Sequence, residues 1–196
     1  MKTPDIFHAI KPVIEAFDQL SIPYYIGGSI ASSVYGIARA TMDADIIADM
    51  ALAQVPPFVR RLHDAYYIDE EMINDAVASV SSFNLIHLET MMKVDVFIQK
   101  KDPYHKSAIA RKLQDRLVED DQNSVFFFSS PEDVILSKLS WYEKGGRVSE
   151  RQWLDILGVI KIQRDSLNRD YLISWSNALG VYDLLKQAFS ESGIKL

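Results

Sequence analysis

The sequence predicts an α/β (α+β) protein: a small mixed β-sheet flanked by helices, with a helical lobe at the C-terminal end. Three observations predict it. Short apolar runs near residues 23–27, 43–48, 83–89 and 93–99 read as strands, and the last two lie close enough to form a hairpin. Helical periodicity and capping signals precede and separate these runs. From Pro131 onward only helical signals remain. With 196 residues, 48% of them hydrophobic, the chain can bury a sizeable core. The expected division is a core over 1–130 and a helical lobe over 131–196 packed on it.

Residues 5–20 place Ile6, Ile10, Ile14 and Phe17 on one helical face, with Pro12 in the middle of the run. Tyr24, Tyr25 and Ile26 form a strand that leads into Gly27 and Gly28, where a tight turn is expected, and Ser29 caps the helix that follows. Pro56 and Pro57 open a helix running to about Tyr66. The hairpin of Phe83–Glu89 and Lys93–Gln99 turns through Thr90, Met91 and Met92 without a glycine. A helix over 104–115 then precedes a last strand at Val125–Phe128. Ser130, Pro131 and Asp133 start the lobe's first helix, and Gly145 and Gly146 end it. Ser149 with Gln152 starts the next, and Asn168 caps a third that ends at Gly180.

The chemistry is concentrated in G-G-S-I-A-S-S-V-Y-G-I-A-R-A-T-M-D-A-D, Gly27 to Asp45. Orphan amides at a helix N-terminus beside glycines suit phosphate oxygens, and the Ser29 hydroxyl adds a donor. Asp43 and Asp45 flank Ala44 on a strand, so alternation puts both carboxylates on one face, roughly 6.5–7 Å apart along the backbone. That spacing lets them share hard cations. Asp95 sits in K-V-D-V-F-I, where Val94, Val96 and Ile98 define the opposite face. An acid on such a strand, beside an earlier acid pair, points to a metal-ion and phosphate site.

The order strand, G-G-S, helix, D-x-D, later lone Asp resembles the nucleotidyltransferase fold of the DNA polymerase beta type, most closely its AbiEii-like bacterial branch. Gly36, Arg39, Thr41, Asp43 and Asp45 spell G-x-x-R-x-T-x-D-x-D, similar to that branch's first motif. S-P-E-D-V-I-L-S-K-L from Ser130, followed by Arg151 and Asp155, resembles its helical motifs. Gln152 departs from that pattern, which usually has an acid directly after the arginine.

The resemblance implies transfer of a nucleoside monophosphate from a nucleoside triphosphate to a hydroxyl, with release of pyrophosphate. It implies two Mg2+ ions, or Mn2+ in their place, on Asp43, Asp45 and Asp95, with Asp95 also taking the acceptor's proton. Phosphate or nucleotide contacts fall to Gly27, Gly28, Ser29, Arg39, Thr41, Lys138 and Arg151. The acceptor is left open among an RNA end, a protein side chain and a small molecule such as an aminoglycoside, and a toxin or defence role is implied. The alternative is a non-catalytic nucleotide-binding or regulatory module on the same fold. Structural readings stand beside these roles: Thr41 can favour strand entry, Lys138 can snorkel from a packed helix, and Arg151 with Asp155 can be an i,i+4 ion pair.

Other classes lose their support. The net charge of −6 argues against broad, sequence-independent nucleic-acid binding, although Arg39, Arg60, Arg61, Lys138, Arg147 and Arg151 remain candidates for a local basic patch. The absence of cysteine excludes disulfides and thiolate metal sites. No apolar run of about 18 residues occurs, and no secretory leader pattern, so a soluble cytoplasmic protein without membrane partners is expected. His8, His63, His87 and His105 lack zinc-ligand spacing, with His87 and Glu89 expected on one strand face near Asp95. Neither a dinucleotide fingerprint nor a P-loop nor a hydrolase elbow appears.

Overall fold

The computed structural model describes residues 5–115 and 125–196. The chain divides into two units. One takes in the described residues up to Gly27 together with those of Ala40–Phe128, and the other Gly28–Arg39 with Ser129–Leu196. The helix that follows the glycine pair therefore groups with the C-terminal helices.

The first unit holds the sheet. Its strands are β1 (Tyr24–Ile26), β2 (Asp43–Ala48), β3 (Tyr66–Tyr67), β4 (Ser82–His87), β5 (Lys93–Ile98), β6 (Leu113–Asp115) and β7 (Phe126–Phe128), in the spatial order β3-β4-β5-β2-β1-β7-β6. The sheet is mixed: β2 runs parallel to β5 and β1 parallel to β7, whereas the other neighbours are antiparallel. Helices α1 (Asp5–Gln19), α3 (Val55–Leu62), α4 (Glu70–Ser79) and α5 (Pro103–Ala110) belong to the same unit. Strand alternation buries Ala44, Ile46 and Ala48 of β2 and Val94, Val96 and Ile98 of β5. Aromatic contacts extend that core: Phe17 of α1 stacks on Phe58 of α3 at 5.1 Å, and Phe58 meets the edge of Phe83 on β4 at 6.3 Å. The opposite face of β2 and β5 stays half-buried.

The hairpin is present as expected, and Met91, with φ of 57°, supplies the left-handed residue that no glycine provides. Elsewhere the structure departs from the sequence reading. The helix expected over 104–115 stops at Ala110, and Leu113–Asp115 pairs with Phe126–Phe128 as an edge strand. The helix from Pro56 ends at Leu62 rather than Tyr66, because Tyr66 and Tyr67 join β4. Helix α4, unread in the sequence, begins at a cap in which Asp69 accepts from the Met72 amide at 2.8 Å.

The second unit is helical: α2 (Gly28–Tyr35), α6 (Pro131–Lys144), α7 (Glu150–Gln163), α8 (Arg169–Ala178) and α9 (Tyr182–Glu191). The Ser130, Ser149 and Asn168 caps form as expected. Two buried acids tie the start of α6 to the start of α8: Glu132 accepts from the Asn168 amide at 2.8 Å, and Asp133 from the Tyr171 hydroxyl at 2.8 Å. Gly36 lets α2 approach α7 closely. A Cβ there would stand 2.9 Å from the Val159 amide nitrogen and 2.8 Å from the Ser32 carbonyl oxygen.

Candidate functional site

In the first unit, the parallel register of β2 and β5 sets Asp45 opposite Asp95 and Asp43 opposite Lys93. Neighbouring strands lie about 4.8 Å apart, so the sheet brings all three predicted acids onto one small block of its half-buried face. Asn84 of β4 stands opposite Asp95 on the far side. Gly27 donates its amide to the Asp45 carbonyl at 2.8 Å, which completes a row of Asn84, Asp95, Asp45 and Gly27. A side chain at Gly27 would press on the Ile47 Cδ1 at 3.0 Å.

Asp43 and Asp95 are held by neighbours. Thr41 donates its hydroxyl to Asp43 Oδ1 at 2.6 Å, and Lys93 Nζ sits 2.7 Å from Asp95 Oδ2. The hydrogen bond to Asp95, with the negative charge of Asp95, Asp43 and Asp45, raises the Lys93 ammonium above its ordinary value against the opposing effect of burial. Three carboxylates and a hydroxyl are the donor chemistry a hard cation takes. Among the described residues no group of three or more His, Asp or Glu side chains is arranged to hold a metal ion. By donor chemistry the face suits a divalent ion, which Asp43, Asp45 and Asp95 would hold.

In the second unit, Gly28 takes φ of 53°, a left-handed turn that glycine adopts without strain, and α2 begins there. Ser29 therefore lies inside the first turn rather than at the cap. Its hydroxyl oxygen accepts from Arg39 Nη2 at 2.6 Å. Arg39 also forms a two-pronged pair with Asp155 on α7, Nε to Oδ1 and Nη2 to Oδ2, both at 3.0 Å. Lys138 of α6 donates to Asp155 Oδ2 at 2.8 Å. The Asp155 side chain is only 7% exposed. Burial alone would raise its carboxyl, but the hydrogen bonds and charges of Arg39 and Lys138 outweigh burial and hold it below the usual carboxylate range. The cluster carries one net positive charge beside the first turn of a helix.

Several expectations need correction. Asp155 pairs with Arg39 and Lys138, while Arg151 is exposed and forms no ion pair among the described residues. His87 does not share a face with Asp95. It is buried on the core side against Tyr66, its Nδ1 within 2.9 Å of Thr90 Oγ1, and burial lowers its pKa. Glu89 lies in the turn beyond β4. Lys93 and Asp155 were not read from the sequence as site residues. Strand parity put Lys93 on the Asp95 face, but its place opposite Asp43 depends on a parallel register that no local pattern encodes.

No family model matches the chain, and no curated protein matches it. Solved structures do. The crystal structure of ANT(2")-Ia in complex with adenylyl-2"-tobramycin aligns with a TM-score of 0.57 at 12% identity, covering 90% of this chain and 97% of that one. The solution structure of the antibiotic-resistance factor ANT(2'')-Ia aligns at 0.52 and 14% identity, covering 95% and 98%. An antigenic nucleotidyltransferase-like protein from Paracoccidioides brasiliensis aligns at 0.50 and 15% identity, covering 94% and 92%. The chain thus has the nucleotidyltransferase fold expected from its sequence. At these identities the likeness establishes fold, and function has to be argued from the residues.

Proposed function

We propose that this chain, which carries the nucleotidyltransferase fold, moves a nucleoside monophosphate from a nucleoside triphosphate to a hydroxyl acceptor and releases pyrophosphate. The observation that carries the reading is the register that sets Asp45 opposite Asp95 with Asp43 on the same face. Three like charges gathered beside a hydrogen-bonded glycine are a costly arrangement for a merely structural sheet face. Mg2+ ions, or Mn2+ in their place, would be held by Asp43, Asp45 and Asp95 and would supply the positive charge that lets a triphosphate approach three acids.

The residues themselves do the remaining work. Asp95 accepts the proton of the acceptor hydroxyl, the oxygen attacks the α-phosphorus in line, and the bond to the bridging oxygen breaks as pyrophosphate departs. Thr41 holds the Asp43 carboxylate in one orientation, and the backbone of Gly27 contributes an approach without a side chain. In the second unit the first turn of α2, from Gly28 and Ser29, with Arg39 and Lys138, is suited to phosphate oxygens by its donors and its net positive charge. Arg151 adds an exposed cation for nucleotide contact.

The test incubates the protein with labelled triphosphates, Mg2+ and candidate acceptors, beside an Asp43→Asn, Asp45→Asn double variant. An aminoglycoside is the first acceptor to try, because the neighbour ANT(2")-Ia is complexed with an adenylylated one. Transfer lost in the double variant is the expected result. Transfer that ignores the substitution refutes the assigned site. The AbiEii-like resemblance extends the proposal to a toxin or defence role, in which expression of the native chain, and not of the double variant, arrests growth.

A second reading has its own observation. Lys93 and Thr41 already occupy the Asp95 and Asp43 carboxylates, as they would in a nucleotide-binding or regulatory module that performs no transfer. Triphosphates that stabilise the protein without any label transfer would favour it.

A further inference from the structure

The acid face carries a cation of its own. On this face β5 presents Lys93, Asp95 and Phe97, β2 presents Asp43, Asp45 and Ile47, β4 presents Ser82, Asn84 and Ile86, and β1 presents Tyr25. Lys93 is the one positive charge among these positions. It faces Asp43 across the strand pair, and its ammonium rests 2.7 Å from the carboxylate of Asp95. The three acids and the lysine form a square block in which the ammonium offsets part of the negative charge. We propose that Lys93 is a tethered counter-cation that occupies the Asp95 carboxylate in the ligand-free protein and must leave it before a divalent ion can bind there.

The idea rests on the metal-site reading given under the proposed function. Among the acids that the backbone brings onto one face, Asp95 already has the lysine as its partner. Departure requires no backbone movement. The Lys93 side chain is 47% exposed on a flexible four-carbon stem, so its head can swing into water. Divalent ions and Lys93 therefore compete for one carboxylate, and the lysine sets the ion concentration at which the face fills.

The probe is Mn2+ itself, titrated into the protein and followed by the electron paramagnetic resonance signal of the unbound ion. Lys93→Met and Lys93→Gln remove the competitor and are expected to bind Mn2+ about tenfold tighter than the native chain, the equivalent of one charge-assisted hydrogen bond. Lys93→Arg keeps the charge and is expected to stay near native affinity. Thermal melts without metal establish that each variant is folded, and the two neutral variants guard against the loss of either. Native or weaker affinity in the folded neutral variants overturns the proposal, as does an Arg variant that behaves like the neutral ones. Absence of Mn2+ binding in every variant, Asp95→Asn included, instead removes the metal site and the inference with it.

Discussion

At the scale of single residues, orientation of the carboxylates is the property on which the proposed chemistry depends. The Thr41 hydroxyl lies 2.6 Å from Asp43 Oδ1, a short charge-assisted hydrogen bond that fixes where one carboxylate points. Thr41→Val keeps the shape and removes the donor. Its expected effect is a loss of about tenfold in label transfer, since such a bond is worth about 1.5 kcal/mol, with the unfolding midpoint in urea nearly unchanged. Wild-type transfer rates in this variant would mean that Thr41 serves strand entry alone. Lys93 acts on the neighbouring carboxylate in the opposite sense, because it withholds Asp95 where Thr41 presents Asp43.

At the scale of elements, two glycines of the same motif do different jobs. A Cβ at Gly36 would meet backbone atoms of α2 and α7 at 2.8 and 2.9 Å, and backbone cannot step aside. Gly36→Ala is therefore expected to cost about 1–3 kcal/mol by overpacking, read as a lowered urea midpoint. Gly27→Ala would press only on the tip of Ile47, which can change rotamer. Its stability should stay closer to native while transfer falls, because the added methyl fills the space beside Asp45. Equal destabilisation by the two substitutions would show that close helix packing is not what distinguishes Gly36.

At the scale of the whole molecule, Asp155 links ionisation to folding. Residues 116 apart in the chain meet at its carboxylate, which is buried and doubly paired. Removing one partner of a buried ion pair costs about 3–5 kcal/mol, so Asp155→Asn should be destabilising by that order at neutral pH. The folded-state pKa is depressed below the ordinary 3.8. Its stabilising contribution is therefore fully present above the unfolded value and is lost as pH falls through the folded one. Urea unfolding of the native chain and Asp155→Asn should consequently converge in acid, below about 3.8. A gap that stays constant with pH would mean that the carboxylate is not what the native chain loses. Among the described residues no helix is long and apolar enough to cross a membrane.

Much of this molecule is legible in its local patterns. Two-residue alternation placed β2 at 43–48 and fixed the shared face of Asp43 and Asp45, and Ser130, Ser149 and Asn168 announced helix starts because a cap acts within three or four residues. The edge strands at Tyr66–Tyr67 and Leu113–Asp115 were not legible, since two or three residues contain no period to detect. Helix α4 carries a local signal too, the Asp69 cap followed by Glu70 and Glu71, but only a weak apolar face, with Ile73 and Ala76 its buried residues. By itself the sequence determined that Asp43 and Asp45 share a strand face and that helices start at Ser130, Ser149 and Asn168, because those properties depend on neighbours along the backbone. Only the tertiary structure decided that β2 and β5 run parallel with Lys93 between the acids, and that Arg39 and Lys138 close on Asp155. Contacts between distant segments are selected by burial and charge across the folded protein, which no stretch of residues records on its own.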